Sequence, residues 1–213
     1  AIKAGYSFFE INSADTFSII LFAGVRFFGA GVLTVIIFSL FQRKPLIPQK
    51  EEIKRISVLS VFQTVLQYLF FYLGLAFTSG SRASIVNSTS VFFAILIAAL
   101  LFKQEKLTAP KIIGSLFGFA GVGLVSLDAF KSGGSLLGEG FILLSSVSYA
   151  ISSVFMKKYS VNSDPAMLSG YQFMLGGAVI ICVGLIFGGR ISTANINGVA
   201  VLIYLMLVSA LAY

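Results

Sequence analysis

The 213-residue sequence contains no histidine and a single cysteine, Cys182. The first absence removes the usual general base near neutral pH, and the two together remove the commonest ligands for zinc, copper and haem iron. A lone cysteine inside an apolar run supports neither a disulfide framework nor a thiolate cluster. Charge is scarce as well, at 11% of residues, against about 25% in an ordinary soluble domain. The acidic residues, Glu10, Asp15, Glu51, Glu52, Glu105, Asp128, Glu139 and Asp164, all fall in breaks between apolar runs or at helix ends. A membrane enzyme needs a nucleophile with a base, or paired acids, within hydrogen-bonding reach. The spans offer neither, so no enzymatic activity, metal or cofactor is expected. The same lack of an intramembrane carboxylate disfavours export of lipophilic cations.

What is present is apolar: 57% of residues are hydrophobic and the mean hydropathy is +0.97. Apolar runs with few charges, long enough to cross a bilayer, predict helices over 17–41, 56–77, 81–102, 111–127, 138–156 and 167–187, with 199–213 opening another. The expected class is all-α, an integral membrane protein built as a polytopic helix bundle. Apolar sequence runs to both ends, so the chain reads as a fragment of a longer, transporter-sized protein. The net charge of +7 falls in the breaks, where membrane orientation accounts for it and no nucleic-acid partner is needed.

Cytoplasmic loops carry the excess of Lys and Arg. Ten of these residues lie in alternate breaks, among them Arg43, Lys44, Arg55, Lys103, Lys111, Lys157 and Lys158, whereas the opposite side holds three, Arg82, Lys131 and Arg190. This places loops 42–55, 103–111 and 157–163 in the cytoplasm and 9–16 outside.

The segment FAGVRFFGAGVL (22–33) resembles LSGYQFMLGGAV (168–179), pairing Gly24, Phe27 and Gly31 with Gly170, Phe173 and Gly177. Just upstream, 1–7 aligns with 154–160 if the first copy has a longer loop. Equivalent residues stand five helices apart, and an odd number of spans inverts the second copy. Inverted repeats are a common construction of secondary transporters, with the substrate site between the halves. Chance similarity between two Gly-rich helices is the alternative.

Polar stripes cross three spans. In 81–102, Ser81, Ser84, Asn87 and Ser88 share one arc, continued by Ala94 and Ala98; in 56–77, Ser60, Gln63, Gln67 and Gly74 share another. In 138–156, Ser145, Ser146, Ser148, Tyr149, Ser152 and Ser153 oppose Val147, Ile151 and Val154. One such stripe suits interhelical hydrogen bonding; three are more simply explained by a shared aqueous path. Two cations fall within spans. Arg26 reads as a structural clamp, and Lys3 either snorkels to the interface or faces substrate.

These residues resemble the EamA family of the drug/metabolite transporter superfamily. The matching features are Gly74, Leu75, Thr78 and Ser79 at a turn into an Ala/Ser-rich span, Glu105 and Leu107 after it, and Ile113, Gly114, Gly118, Gly121 and Val122 in a final helix. The pairs Arg26 with Phe27 and Ile2 with Lys3 also match. The resemblance covers nearly the whole chain, as a first repeat over 1–128 with its first helix truncated and the start of a second over 138–213. It implies two inverted five-helix repeats, about ten spans in the intact protein, moving small metabolites through a central cavity. Members usually carry a proline midway through the fourth span; this chain has Ser90 and Val91 there, so that proline kink is not expected. Glu105 reads as a fold-specific cap or ion pair.

The expectation is a plasma-membrane secondary transporter working by alternating access, most simply an exporter of amino-acid-like or other neutral, zwitterionic or anionic solutes. Its substrate-pathway residues would be Lys3, Tyr6, Gln63, Gln67, Ser84, Asn87, Ser88, Ser145, Tyr149 and Ser152. Glycines over 114–123 would allow close helix packing. Partners are then a small-molecule substrate and the lipid bilayer, with coupling ion and oligomeric state left open. A non-transporting membrane scaffold is the alternative.

Overall fold

The computed structural model describes residues 8, 9, 11, 15–100, 102, 108–131, 136–191 and 196–211. Lys3, Tyr6 and Glu105 lie outside them, as does the 1–7 part of the repeat alignment. The described residues form helices α1 (Thr16–Phe41), α2 (Lys50–Leu59), a π-helical segment (Ser60–Leu66), α3 (Gln67–Phe77), α4 (Gly80–Asn87), α5 (Ser90–Leu100), α6 (Ala109–Lys131), α7 (Leu136–Tyr159), α8 (Pro165–Ile186) and α9 (Ile196–Leu211). Five stretches among them are long and apolar enough to cross a membrane: Thr16–Phe41, Lys50–Phe77, Gly80–Leu100, Leu136–Tyr159 and Pro165–Ile186. Each predicted span is helical where described, but two are interrupted, and the predicted spans 111–127 and 199–213 correspond to shorter apolar helices, Ala109–Leu124 and Gly198–Leu211.

The helix ends follow from local chemistry. Asp15 caps α1, its carboxylate accepting from the backbone N–H groups of Phe17 and Ser18 and from the Ser18 hydroxyl at 2.6 Å. Asp164 caps α8 in the same way through Ala166 and Met167, with Pro165 in the first turn, where its missing N–H costs nothing. At the far end of α8 the Gly189 N–H returns to the Gly184 carbonyl at 2.8 Å, with Gly188 at φ 84°, a left-handed position that suits glycine. The corresponding position after α1 is Arg43 at φ 52°.

Two compact units divide the chain. The first comprises residues 1–65 and 159–213. Its centre is the α1–α8 pair. A Cβ on Gly31 would lie 2.5 Å from the Gly170 carbonyl oxygen, and one on Gly177 would lie 2.5 Å from the Phe28 nitrogen and 3.0 Å from the Gly24 carbonyl oxygen. Phe27 and Phe173 stack between these contacts, ring centroids 5.6 Å apart and 8° from parallel. The helices are therefore antiparallel and touch backbone to backbone. In the alignment of 22–33 with 168–179, the contact of Gly31 with Gly170 maps onto that of Gly177 with Gly24. At one end Gln42 Nε2 donates to Asp164 Oδ2 at 2.9 Å, and Arg55 donates to the Ser163 hydroxyl at 2.8 Å. At the other, Phe17 stacks on Phe187 and the Arg190 N–H donates to the Ser18 hydroxyl.

Burial raises the Asp164 pKa, but the donors Gln42, Met167 and Ala166 and the charge of Lys44 outweigh it and hold the carboxyl below its ordinary value. A depressed folded-state pKa contributes stability that is complete above the unfolded value, about 3.9, and is lost as pH falls through the folded one. Asp164→Ala is expected to cost about 1 kcal/mol at pH 7 and progressively less below about pH 4. Thermal unfolding of both proteins across pH 3 to 7 checks this; a constant difference would contradict it.

The second unit spans 66–158. There α3 packs antiparallel on α7: a Cβ on Gly74 would lie 2.9 Å from the Gly138 carbonyl oxygen, and Phe70 stacks on Phe141. Ile142 of α7 also meets Ala83 and Val86 of α4, with Phe71, Leu75 and Val122 around them. Phe92 and Phe93 of α5 pack on Phe119 of α6. The glycine face expected to pack over 114–123 makes one close contact, Gly118 with Phe92; Gly114, Gly121 and Gly123 meet nothing within 4 Å among the described residues.

Candidate functional site

Ser88 and Thr89 interrupt the helix over 80–100. The Ser88 hydroxyl donates to the Ile85 carbonyl at 2.6 Å and the Thr89 hydroxyl to the Val86 carbonyl at 2.6 Å. Short hydroxyl side chains compete in this way for carbonyls that the next turn would use, and they also satisfy groups a break would leave bare in lipid. No proline stands here, as read from the sequence, and the helix is nonetheless interrupted at two hydroxyl-bearing residues.

Beside the break, the Ser146 hydroxyl of α7 lies 3.0 Å from the Ile142 carbonyl, 3.3 Å from Asn87 Oδ1 and 3.4 Å from the Asn87 carbonyl. It has one proton for three acceptors. The serine stripe of α7 is largely buried, Ser145, Ser146 and Ser152 having no exposed surface and Ser148 5%, but Val154, read from the sequence as opposite that stripe, is buried too at 3%. Ser152 donates to the Tyr149 carbonyl, and Tyr149 itself is half-buried. Ser145 Oγ and Gln67 Oε1 are buried with no hydrogen-bond partner among the described residues. Further along, Ala94, Ile95, Ala98, Ser153, Val154 and Lys157 line a cavity of about 150 Å³.

Of the residues singled out from the sequence, Gln67, Asn87, Ser145, Tyr149 and Ser152 lie on α3, α4 and α7 of the second unit. Ser84 and Ser88 do not turn inward; both are exposed and bond to carbonyls of their own helix. Gln63 belongs to the first unit. There the π-segment, whose wider turn holds an extra residue, buries Ser60, Gln63 and Thr64. The Thr64 hydroxyl donates to Gln172 Oε1 at 2.9 Å, while Gln172 Nε2 and Gln63 Oε1 have no partner among the described residues. Gly176 gives this contact room, since a Cβ there would lie 2.4 Å from Thr64 Cβ and 3.0 Å from Ser60 Oγ.

Arg26 is buried at 8% exposure, with its guanidinium carbon 4.5 Å from the Phe27 ring centroid, a cation over an aromatic face. The sequence reading passed over Gln172, although the repeat alignment sets it opposite Arg26: equivalent positions of α1 and α8 both bury a polar side chain. Glu139, placed from the sequence at a helix end, does lie in the first turn of α7 but is buried, at 6% exposure.

Among the described residues, no group of three or more His, Cys, Asp or Glu side chains is placed to hold a metal ion. The family model of the EamA-like transporter family matches residues 1–127 and 136–213. An uncharacterized transporter of Archaeoglobus fulgidus is 32% identical over 172 residues, 78% of this chain and 58% of that protein. The uncharacterized transporter YoaV of Bacillus subtilis is 28% identical over 173 residues, 79% of this chain and 58% of that protein. A WAT1-related protein of Arabidopsis thaliana, At3g02690, chloroplastic, is 28% identical over 192 residues, 85% of this chain and 46% of that protein. The chain spans about half the length of these curated relatives. No solved structure matches. The interrupted apolar helices, their buried uncharged polar faces and the match over nearly all residues lead to one assignment: the chain belongs to the EamA-like transporter family.

Proposed function

We propose that this chain forms part of a secondary transporter that moves amino-acid-like or other neutral, zwitterionic or anionic metabolites across the plasma membrane, as an exporter working by alternating access. The observation that carries this reading is the α4–α5 break, where the Ser146 hydroxyl of α7 meets Asn87 at the end of α4, while the buried oxygens of Gln67 on α3 and Ser145 on α7 stay unpaired among the described residues. A polar surface without fixed charge suits a solute recognised by hydrogen bonds. The reciprocal glycine contacts of α1 and α8 support two inverted repeats, since a pseudo-twofold axis through stacked Phe27 and Phe173 would generate them. The meeting of Gln42 and Arg55 with Asp164 and Ser163 supports loops 42–55 and 157–163 on one side of the membrane, the cytoplasmic side by their Lys and Arg content.

The test is to express the intact gene in bacterial cells and measure by mass spectrometry which metabolites shift between cytoplasm and medium relative to an empty vector. A selective shift in one or a few amino acids is expected. Gln67→Ala and Asn87→Ala should each lower that flux about tenfold, the equivalent of losing one hydrogen bond of about 1.4 kcal/mol. No shift across a broad panel, with the protein confirmed in the membrane, would favour a scaffold instead. Unchanged flux in both variants would remove the pathway from this break.

A further inference from the structure

The unpaired oxygens of Gln67 and Ser145 lie on the facing helices α3 and α7 of the second unit. Gly74 and Gly138 are in contact, Gln67 lies seven residues before the first and Ser145 seven residues after the second. Seven residues are close to two helical turns, about 10.5 Å along each axis. Gln67 and Ser145 therefore occupy the same faces as the two glycines, and the antiparallel register marked by the Phe70–Phe141 stack sets them opposite each other. Ser146, the next residue of α7, reaches the C-terminal end of α4 at Asn87.

The oxygens on these facing helices are short of partners, and the Ser145 hydroxyl, which can turn its proton away, can offer its lone pairs. Gln67 Oε1 and Ser145 Oγ have no partner among the described residues. Asn87 Oδ1 and the Asn87 carbonyl share the single Ser146 proton, which the Ile142 carbonyl takes at the shortest distance, 3.0 Å. The end of α4 adds the negative pole of a helix dipole. Unpaired acceptors in a low-dielectric site are costly, and a small positive charge satisfies several at once. Oxygen ligands select hard cations, and this ligand set contains no carboxylate to offset a double charge.

We propose that Gln67 Oε1, Ser145 Oγ and the Asn87 oxygens bind a monovalent alkali cation at the end of α4. Its service as the coupling ion rests on the transport reading above; its binding does not. Half-helix ends and interrupted backbone are a recurrent way of holding such ions in transporters.

Thermal unfolding of the purified intact protein in detergent, in sodium, potassium or choline chloride at equal ionic strength, tests the site without any substrate. The midpoint should rise saturably with sodium or potassium, by roughly 3 °C or more at saturation, and the better of the two names the ion. Choline, a quaternary ammonium whose charge is shielded by methyl groups from close oxygen contact, should give no such rise. Gln67→Leu and Ser145→Ala should each abolish the dependence, two variants guarding against misfolding of one, whereas Cys182→Ala on the exposed face of α8 keeps it. Equal midpoints in all three salts would overturn the proposal and leave water as the occupant, as would an ion response that survives in both variants. Ion-dependent stabilisation without metabolite flux would keep the site and sink the transport reading.

Discussion

Gly177→Leu and Gly31→Leu are each expected to abolish folding of the intact protein, and the corresponding alanine variants to lose about 2–3 kcal/mol. The first atoms a side chain would meet belong to backbone: Phe28 N at 2.5 Å from the Gly177 Cβ position, and the Gly170 carbonyl oxygen at 2.5 Å from that of Gly31. A flexible side chain could step aside, whereas here the helices themselves must part. Parting them opens the Phe27–Phe173 stack as well. Because the two contacts are reciprocal, the two alanine variants should lose similar amounts. Gly114→Ala is the counterpart, since its Cβ meets nothing within 4 Å; it should leave stability unchanged or raise it by up to about 1 kcal/mol through helix propensity. Membrane yield and thermal midpoints of the five proteins check all of this. Wild-type stability in Gly177→Leu would mean that α1 and α8 do not touch this way.

Thr64→Val should destabilise by about 1–2 kcal/mol, and Gln172→Met by clearly less, although glutamine is the larger polar group. The Thr64 hydroxyl is the donor to Gln172 Oε1, and Gln172 Nε2 already lacks a partner among the described residues. Removing the hydroxyl leaves an amide buried with neither end satisfied. Removing the amide takes away the orphaned donor together with the acceptor, and the threonine can donate to a carbonyl one turn back in its own helix. The two single variants and the double variant, unfolded thermally in one detergent, give the order. If Gln172→Met lost more than Thr64→Val, the Gln172 amide would have to be engaged elsewhere in the intact protein.

Much of the fold was legible because crossing a membrane is a local demand on composition. A run of apolar residues must bury its backbone hydrogen bonds within itself, so each predicted span is helical to within a few residues. The serine stripe of α7 was legible for a related reason. Lipid accepts Leu143 and Leu144 and rejects Ser145 and Ser146, so the helix can face only one way. The glycines paired by the repeat alignment were visible as a spacing, and the structure shows what that spacing achieves, two backbones in contact.

Sequence by itself therefore determined that this is a polytopic helical membrane protein, where its helices run and which face of α7 turns inward. Tertiary structure decided what those faces meet. It separated Gln63 from Gln67 into different units despite their four-residue spacing, left Ser84 and Ser88 exposed while bringing Asn87 to Ser146, and paired Thr64 with Gln172. It also interrupted a helix that lacks the expected proline. Hydropathy and periodicity belong to one helix at a time, whereas the partner of a buried hydroxyl or amide is set by the register between helices far apart in the chain. In lipid, where water cannot stand in for a missing partner, that register determines which polar groups are satisfied and which are left to bind something else.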